Sequence, residues 1–418
     1  MTKGFTKKGV GYTYHGIKKG VYVYVLEPDF RTIINCQKRP YPRKPSQSQE
    51  KERLLHMMIH KPDYDPNLIQ WMDIGNNSLC QLGEELISFH NDFHDCFYRI
   101  EQYILGQCYL KGLLSNLERK NVEAIALRYL EPNRNEVRSL QKLMTNYHWS
   151  EDFMLQKIQG KLSELIASED GMITTDSSEF QKKGNESAGV TRQYCGNAGK
   201  IENCQSGAFV GYTSSKGYGL IERQLYLPEV WFSQEYGERR LKCQIPEDLT
   251  FKTKIEIAFN LIEKVRQTGL FPARWLGADA TFGSDSKFRD KVDASGMYFF
   301  VNIRSDTLVW LHRPEVGIPS YHGKGRPPEK ERALESPVNV SKIASLSDLT
   351  WETEILAEGA KGPIIAKISR VRVVEYRDGF PGKELWLFLR KDPDGKIRYA
   401  FSNAPNDTSI EQMNVLQL

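Results

Sequence analysis

No stretch of this 418-residue chain approaches the eighteen or so uncharged apolar residues that a membrane-spanning helix needs. The N-terminal MTKGFTKKGVGYTYHGIKKG has lysines but no apolar run of signal-peptide type behind them, so the chain is expected to be soluble and cytoplasmic, with no membrane partner. An excess of one charge sign is missing too. The 57 Lys and Arg against 53 Asp and Glu leave a formal +4, which permits a nucleic-acid partner without requiring one. The seven cysteines (Cys36, Cys80, Cys96, Cys108, Cys195, Cys204 and Cys243) form no CxxC pair, which argues against a zinc knuckle or redox site and favours reduced, buried thiols. GKGRPP has neither a preceding strand nor the GK[ST] of a phosphate-binding loop, so nucleotide hydrolysis is excluded. His90 and His94 stand at i and i+4 with Cys96 nearby, but Asn91 occupies the place of the HExxH glutamate; packing is the expected role.

What is present suits a folded chain of several units. Hydrophobic residues make up 40%, aromatics 11% and charged residues 26%, and the length implies roughly two to four domains. Residues 1–76 read as a basic, aromatic extension with a linker at QKRPYPRKPSQSQEKER, although GVYVYVLEP alternates like a strand. Residues 77–168 repeat apolar positions at three- and four-residue intervals and read as an all-helical domain, with Ser150 as an N-cap before Glu151 and Asp152. From 169 to 303 the pattern changes to MITTD, KIENCQSGAFVGYT and GLIERQLYLP, then a helix at TKIEIAFNLIEKVRQTG, then ARWLGAD, a short helix after Ser284, and GMYFFVNIR. The expected fold class is α+β / α/β, with a mixed sheet flanked by helices. Residues 304–400 read as a β-rich insertion, with a solvent-facing loop at YHGKGRPPEKER and strands separated by RDGFPG and DPDG. Residues 401–418 start a return to the core and a helix, TSIEQMNVLQL, that breaks off without a C-cap.

Two acids stand out. Asp176 closes the apolar run MITTD and Asp279 closes ARWLGAD. Ligand sites of open sheets lie outside the carboxyl ends of strands, where two aspartates would repel and a divalent cation, Mg²⁺ or Mn²⁺, would relieve the repulsion. Lys182, Lys183 and Arg192 follow within sixteen residues of Asp176, and acid for metal beside base for phosphate suits a nucleic-acid backbone. The plainer alternatives, a turn-forming aspartate and a solvated loop, remain open on composition.

DSSEFQKKGNESAGVTRQYCGNAGKIENCQSGAFVGY resembles the first catalytic block of bacterial insertion-sequence transposases of the DDE superfamily, and ERKNVEAIAL, LYLPEVW, WLGADATFG, HGKGRPP and ELWLFLR…FSNAP agree in order over roughly residues 90–418. The resemblance implies an RNase H-like catalytic core preceded by a helical DNA-binding region and interrupted by a β-rich insertion. It makes Asp176 and Asp279 the first and second metal-binding carboxylates. Phe282-Gly283 stands where Tyr-Gly is usual and Gln181 where a proline is common, while Asp285 reads as a helix cap. The third carboxylate of similar transposases follows the SNAP segment in a helix opened by an Arg-Trp pair, which this chain does not contain; Glu411, the acid of the final helix, lies upstream of that block. The chain is therefore expected to be truncated before its third acid.

The complete family enzyme is implied to use two metal ions, one activating the attacking water or 3′-hydroxyl and one stabilising the leaving oxygen. The substrate is then DNA, the transposon's inverted-repeat ends and a target, engaged by a homodimer and associated with the nucleoid. Arg119, Lys120, Arg128, Arg134 and Arg138 are the helical-region residues expected to contact phosphates. Two other readings stand beside it: a noncatalytic DNA-binding remnant or regulator, and a metal-dependent nuclease of host repair.

Overall fold

The computed structural model describes residues 76–408 except 131–132, 321–322, 324–327, 348 and 360–361. The N-terminal extension, Glu411 and most of the HGKGRPP motif lie outside the described residues.

Helices open the described chain: α1 (Asn76–Asn91), α2 (Ile100–Leu114), α3 (Val122–Tyr129), α4 (Arg134–Thr145) and α5 (Glu151–Ile166). Three of them start at polar side chains that accept otherwise orphaned amides. Asn121 Oδ1 accepts from Ala124 N at 2.8 Å, Asn133 Oδ1 from Asn135 N and Glu136 N at 3.0 Å, and Ser150 Oγ from Phe153 N at 3.3 Å. The apolar faces of α2, α3 and α4 meet at Leu105, Cys108, Ile125, Ala126, Leu140 and Leu143, all buried. Helix α5 leaves this small core for the larger one: Gln159 Nε2 donates to the Ile221 carbonyl at 2.7 Å, Ile166 is buried in the sheet's core, and Arg223 pairs with Glu151.

The sheet begins with β1 (Met172–Gln181), β2 (Thr191–Cys195), β3 (Lys200–Ser214) and β4 (Gly217–Tyr226). Then come α6 (Gly237–Lys242), α7 (Lys254–Thr268), β5 (Trp275–Ala278), α8 (Ala280–Gly283), α9 (Ser286–Ala294) and β6 (Tyr298–Ile303). Across the sheet the order is β4-β3-β1-β5-β6; β3 runs antiparallel to β1 and β4, while β1, β5 and β6 are parallel. Three antiparallel strands followed by two parallel ones, with helices in the crossovers, make an RNase H-like core. Helix α7 opens with a capping box, Thr253 Oγ1 accepting from Glu256 N at 3.2 Å and Glu256 Oε2 from Thr253 N at 2.8 Å, and closes on Gly269 at φ 67°. With α9 it covers one sheet face, where Ile173, Val210, Leu276 and Val301 meet Leu261, Ile262, Phe288 and Val292. Each such side chain contributes about 1.5–3 kcal/mol on burial.

The sheet continues past β6 into residues 304–402. The chain adds β7 (Leu308–Trp310), β8 (Val316–Gly317), β9 (Arg332–Ala333), β10 (Val338–Asn339), α10 (Val340–Ile343), β11 (Glu352–Gly359), β12 (Gly362–Arg377), β13 (Phe380–Lys391) and β14 (Ile397–Ser402). Strand β14 pairs with β6, β13 with β14 and β12 with β13, all antiparallel, giving one twelve-stranded sheet among the described residues. The turn expected at RDGFPG puts Asp378 and Gly379 at φ 49° and 94°, and the one at DPDG puts Gly395 at φ 83°. After β14, Asn403 fastens the chain to the start of β6. Its Oδ1 accepts from Phe299 N at 2.7 Å and its Nδ2 donates to Asp293 at 2.6 Å, a physical role for the asparagine of the SNAP segment.

Candidate active site

Strands β1 and β5 pair in parallel with Thr175 opposite Ala278. Carrying that register one residue further puts Asp176 beside Asp279, at the strand spacing of about 4.8 Å. Both line a cleft of about 480 Å³ with Met172, Thr174, Asn302, Arg390 and Arg398. Local chemistry fixes each acid. Asp279 caps α8, its carboxylate accepting from Thr281 N and Thr281 Oγ1 at 3.0 Å and from Phe282 N at 3.3 Å. Asp176 accepts from Ser177 N at 2.6 Å. Helix α8 lies hard against β6: a Cβ on Gly283 would come within 2.0 Å of the Asn302 carbonyl, which leaves glycine as the residue that fits.

The pair is electrostatically unsettled. The rim of Asp176 is open to solvent, yet the protein mass around the cleft, and then the negative charge of Asp279, push its carboxyl up to about 6. Glu179 adds to that repulsion from the other sheet face, where it accepts from Ser206 Oγ at 3.2 Å and pairs with Lys254 at 3.1 Å; Lys254 weakly opposes the upward shift. Two neighbouring hard oxygen donors, with Asp176 resisting ionisation beside Asp279, fit a divalent cation of the Mg²⁺ or Mn²⁺ type.

Residues 92–363 match the family of DDE superfamily endonucleases. The chain belongs to that family. Its sequence is 25% identical over 297 residues to a probable transposase for insertion sequence element IS701 from Microchaete diplosiphon; the match takes in 68% of this chain and 66% of that protein. The chain thus spans just under two thirds of its relative's length. Among solved structures, the NurA nuclease from Sulfolobus solfataricus aligns over 63% of this chain and 79% of its own, at 10% identity and a TM-score of 0.27, too low to bear on the fold. DDE superfamily endonucleases generally use divalent metal ions. No helix among the described residues is long and apolar enough to cross a membrane.

In this DDE superfamily endonuclease the sequence-adjacent basic residues lie away from the acids. Strand β1 does not end at Asp176, as its apolar run suggests, but continues to Gln181 paired with β3. At about 3.3 Å per residue, this carries Lys182 and Lys183 on the order of 20 Å from Asp176. Lys183 and Arg192 are exposed, Lys182 is half-buried, and none of the three lines the cleft. In the helical region Arg119, Arg134 and Arg138 are exposed, with Arg134 and Arg138 one turn apart on α4. Lys120 and Arg128 are half-buried, and Lys120 Nζ donates to the Leu113 carbonyl at 2.8 Å near the end of α2. Asp285 caps α9, accepting from Phe288 N at 2.7 Å, and Phe282 is fully buried beside Phe288. His90 is buried with Nε2 2.9 Å from the Tyr103 carbonyl, and burial lowers its pKa, as suits a neutral packed ring. The five cysteines whose side chains are described are buried and form no disulfide with one another.

Sequence reasoning missed Asn302, Arg390 and Arg398 in the cleft wall. A signal existed for the arginines: the DPDG turn fixes the β13–β14 register and sets Arg390 opposite Arg398.

Proposed function

We propose that this chain is a transposase of the DDE type, cutting and joining DNA strands at the inverted-repeat ends of its element with Mg²⁺ or Mn²⁺. The observation that supports this reading is that Asp176 and Asp279 stand one residue past the last paired position of two neighbouring parallel strands and line one open cleft. A divalent cation held there would polarise a phosphate oxygen and make a water or 3′-hydroxyl a better nucleophile. The chain's own contribution is positional. Asp279 is locked by the first turn of α8, and Asp176 stands one residue past the last paired position of β1 and β5 with its carboxylate accepting from Ser177 N, so both acids are positioned before loading. Arg119, Arg134 and Arg138 are proposed to hold DNA outside the cleft, with Lys183 and Arg192 contacting backbone further along the strand. Two such chains would pair on DNA to bring two ends together, from a monomer–dimer mixture in its absence.

The test is Mn²⁺ binding by titration calorimetry together with Mg²⁺-dependent nicking of duplex DNA carrying the element's inverted repeat. Asp279→Asn keeps an oxygen for the α8 cap, so it should fold normally, bind Mn²⁺ at least tenfold more weakly and lose nicking. Nicking by this variant at the wild-type rate would overturn the assignment. Mn²⁺ binding without nicking by the wild-type chain would favour a noncatalytic DNA-binding protein.

A further inference from the structure

We infer that the side-chain amide of Asn302 is a substrate contact in this cleft, donating a hydrogen bond to a non-bridging oxygen of the phosphate to be cut; this rests on the reading of the Asp176–Asp279 cleft as a DNA-cutting site. Strand order puts the residue there. Strand β6 runs parallel to β5 with Val301 opposite Ala278, so the next residues along, Asn302 and Asp279, are neighbours in the way that Asp279 and Asp176 are. Asp176, Asp279 and Asn302 form one row at the strand spacing of about 4.8 Å, and all three line the cleft. The backbone of Asn302 is held on both sides. It pairs with Ala400 on β14, and its carbonyl lies against Gly283 of α8, the helix that Asp279 caps.

Other asparagines of this sheet spend their amides on the chain itself. Asn403 Nδ2 donates to Asp293 at 2.6 Å and to the Met297 carbonyl at 3.2 Å, and Asn203 Nδ2 to the Lys182 and Gly184 carbonyls at 2.9 and 3.0 Å. Asn302 is exposed instead, on the cleft face of a strand whose flanking Val301 and Ile303 are buried on the other. Its surroundings favour a neutral donor. On one side the Asp279 carboxylate repels a phosphate oxygen; on the other, Phe300 and Phe388 pack edge to face at 5.2 Å and make an apolar wall. An amide N–H between them adds no negative charge to the row of acids and offsets the repulsion on the oxygen it meets. A hydrogen bond to a charged oxygen is among the stronger ones, and the apolar wall beside it strengthens it further. The two non-bridging oxygens of a phosphodiester are not equivalent in a chiral site, so a contact to one of them is stereospecific.

The experiment measures binding of a fluorescein-labelled duplex carrying the element's inverted repeat by anisotropy, with Ca²⁺ in place of Mg²⁺ to limit cutting. Asn302 is exposed, so Asn302→Ala should fold like the wild type and bind this DNA on the order of tenfold more weakly. Asn302→Asp, of the same shape but with a charge in place of the donor, should bind more weakly still. The phosphate to be cut is then replaced by each of its two methylphosphonate isomers. With one isomer the wild type should lose on the order of tenfold while Asn302→Ala loses nothing further, because the oxygen removed is the one the amide holds. Titration calorimetry without DNA should show Asn302→Ala binding Mn²⁺ as tightly as the wild type. A Mn²⁺ affinity that falls on the order of tenfold would make Asn302 a metal ligand and overturn the phosphate contact. If the wild type binds and nicks DNA but Asn302→Ala matches its affinity, or suffers the same loss as the wild type with both isomers, the contact is wrong while the DNA-cutting reading stands. A wild-type chain that neither binds nor nicks DNA overturns both.

Discussion

The two faces of the central sheet are built from the same strands and do opposite things. On β1, Ile173 points into the helix-covered core with no exposure, while Thr174 and Asp176 line the cleft. The alternation repeats with Leu276 against Gly277 on β5 and Asp279 just after it, Val301 against Asn302 on β6, and Leu387 and Leu389 against Arg390 on β13. Because side chains on a strand alternate with period two, each strand contributes one face to stability and the other to chemistry. The covered face is mostly apolar and closed by α7 and α9. The open face tolerates neighbouring carboxylates and paired arginines because the opposite face holds the strands in place. The open face also carries a small core of its own, where Phe300, Ile368, Phe388 and Ala404 bury one another and Phe300 and Phe388 form part of the cleft lining.

The sharpest test of this division is on β6, where one residue separates the two roles. Phe299→Ala, on the covered face, should lower unfolding free energy by about 3–5 kcal/mol in urea denaturation. Asn302→Ala, three residues on and facing the cleft, should stay within about 0.5 kcal/mol, since an exposed side chain leaves no cavity. Equal losses would mean that the faces do not divide the work.

A somewhat smaller loss is expected where the covered face contains charge. Arg289 on α9 donates to Glu375 on β12 and to the Gly283 carbonyl, and both side chains are almost fully buried. Glu375 also accepts from Arg377, whose guanidinium holds Asp290 down to about 2. Glu375→Gln should destabilise by about 3 kcal/mol, because it leaves the buried Arg289 guanidinium without its counter-charge. Pairing that loss with Arg289→Met should recover much of it, since an apolar side chain has no charge to compensate. No recovery in the double variant would show that the pair is not an isolated charge-compensation unit.

How far the sequence disclosed this arrangement depended on the range of the signal. Caps were legible because they are local: Ser150 and Asp285 each sit three residues before the amide that completes the contact. Asp176 and Asp279 were legible as ends of short apolar runs, and parallel pairing of those runs suffices to make them neighbours. The extent of β1 was hidden because SSEFQ is polar, and its pairing comes from β3, which lies twenty-three residues or more away in the chain. That error also made Lys182 and Lys183 look like close companions of Asp176, although a straight strand carries them away at each residue. The reverse holds for Arg390 and Arg398: more than two hundred residues from Asp176 in sequence, they reach its cleft through strand order alone.

The smallest expected effect is also the one whose sign is least intuitive. Asp176 has its folded-state pKa raised to about 6 from an ordinary 3.8, by burial and then by Asp279. The folded protein therefore holds this proton more tightly than the unfolded chain, and the stability so gained is complete below about pH 4 and lost as pH rises through 6. Asp176→Asn removes an ionisation that folding disfavours. The metal-free variant should match the wild type at pH 4 and exceed it at pH 7.5, by about 1 kcal/mol once solvent screening at the open rim is allowed for. Mn²⁺ should reverse the ranking, raising the melting temperature of the wild type and leaving that of the variant nearly unchanged, because a cation stabilises the ionised pair that folding alone penalises. A variant less stable than the wild type at pH 7.5 without metal would show that Asp176 is held by favourable contacts instead of strained by its neighbour, and the open face would then have no electrostatic reason to take up a cation.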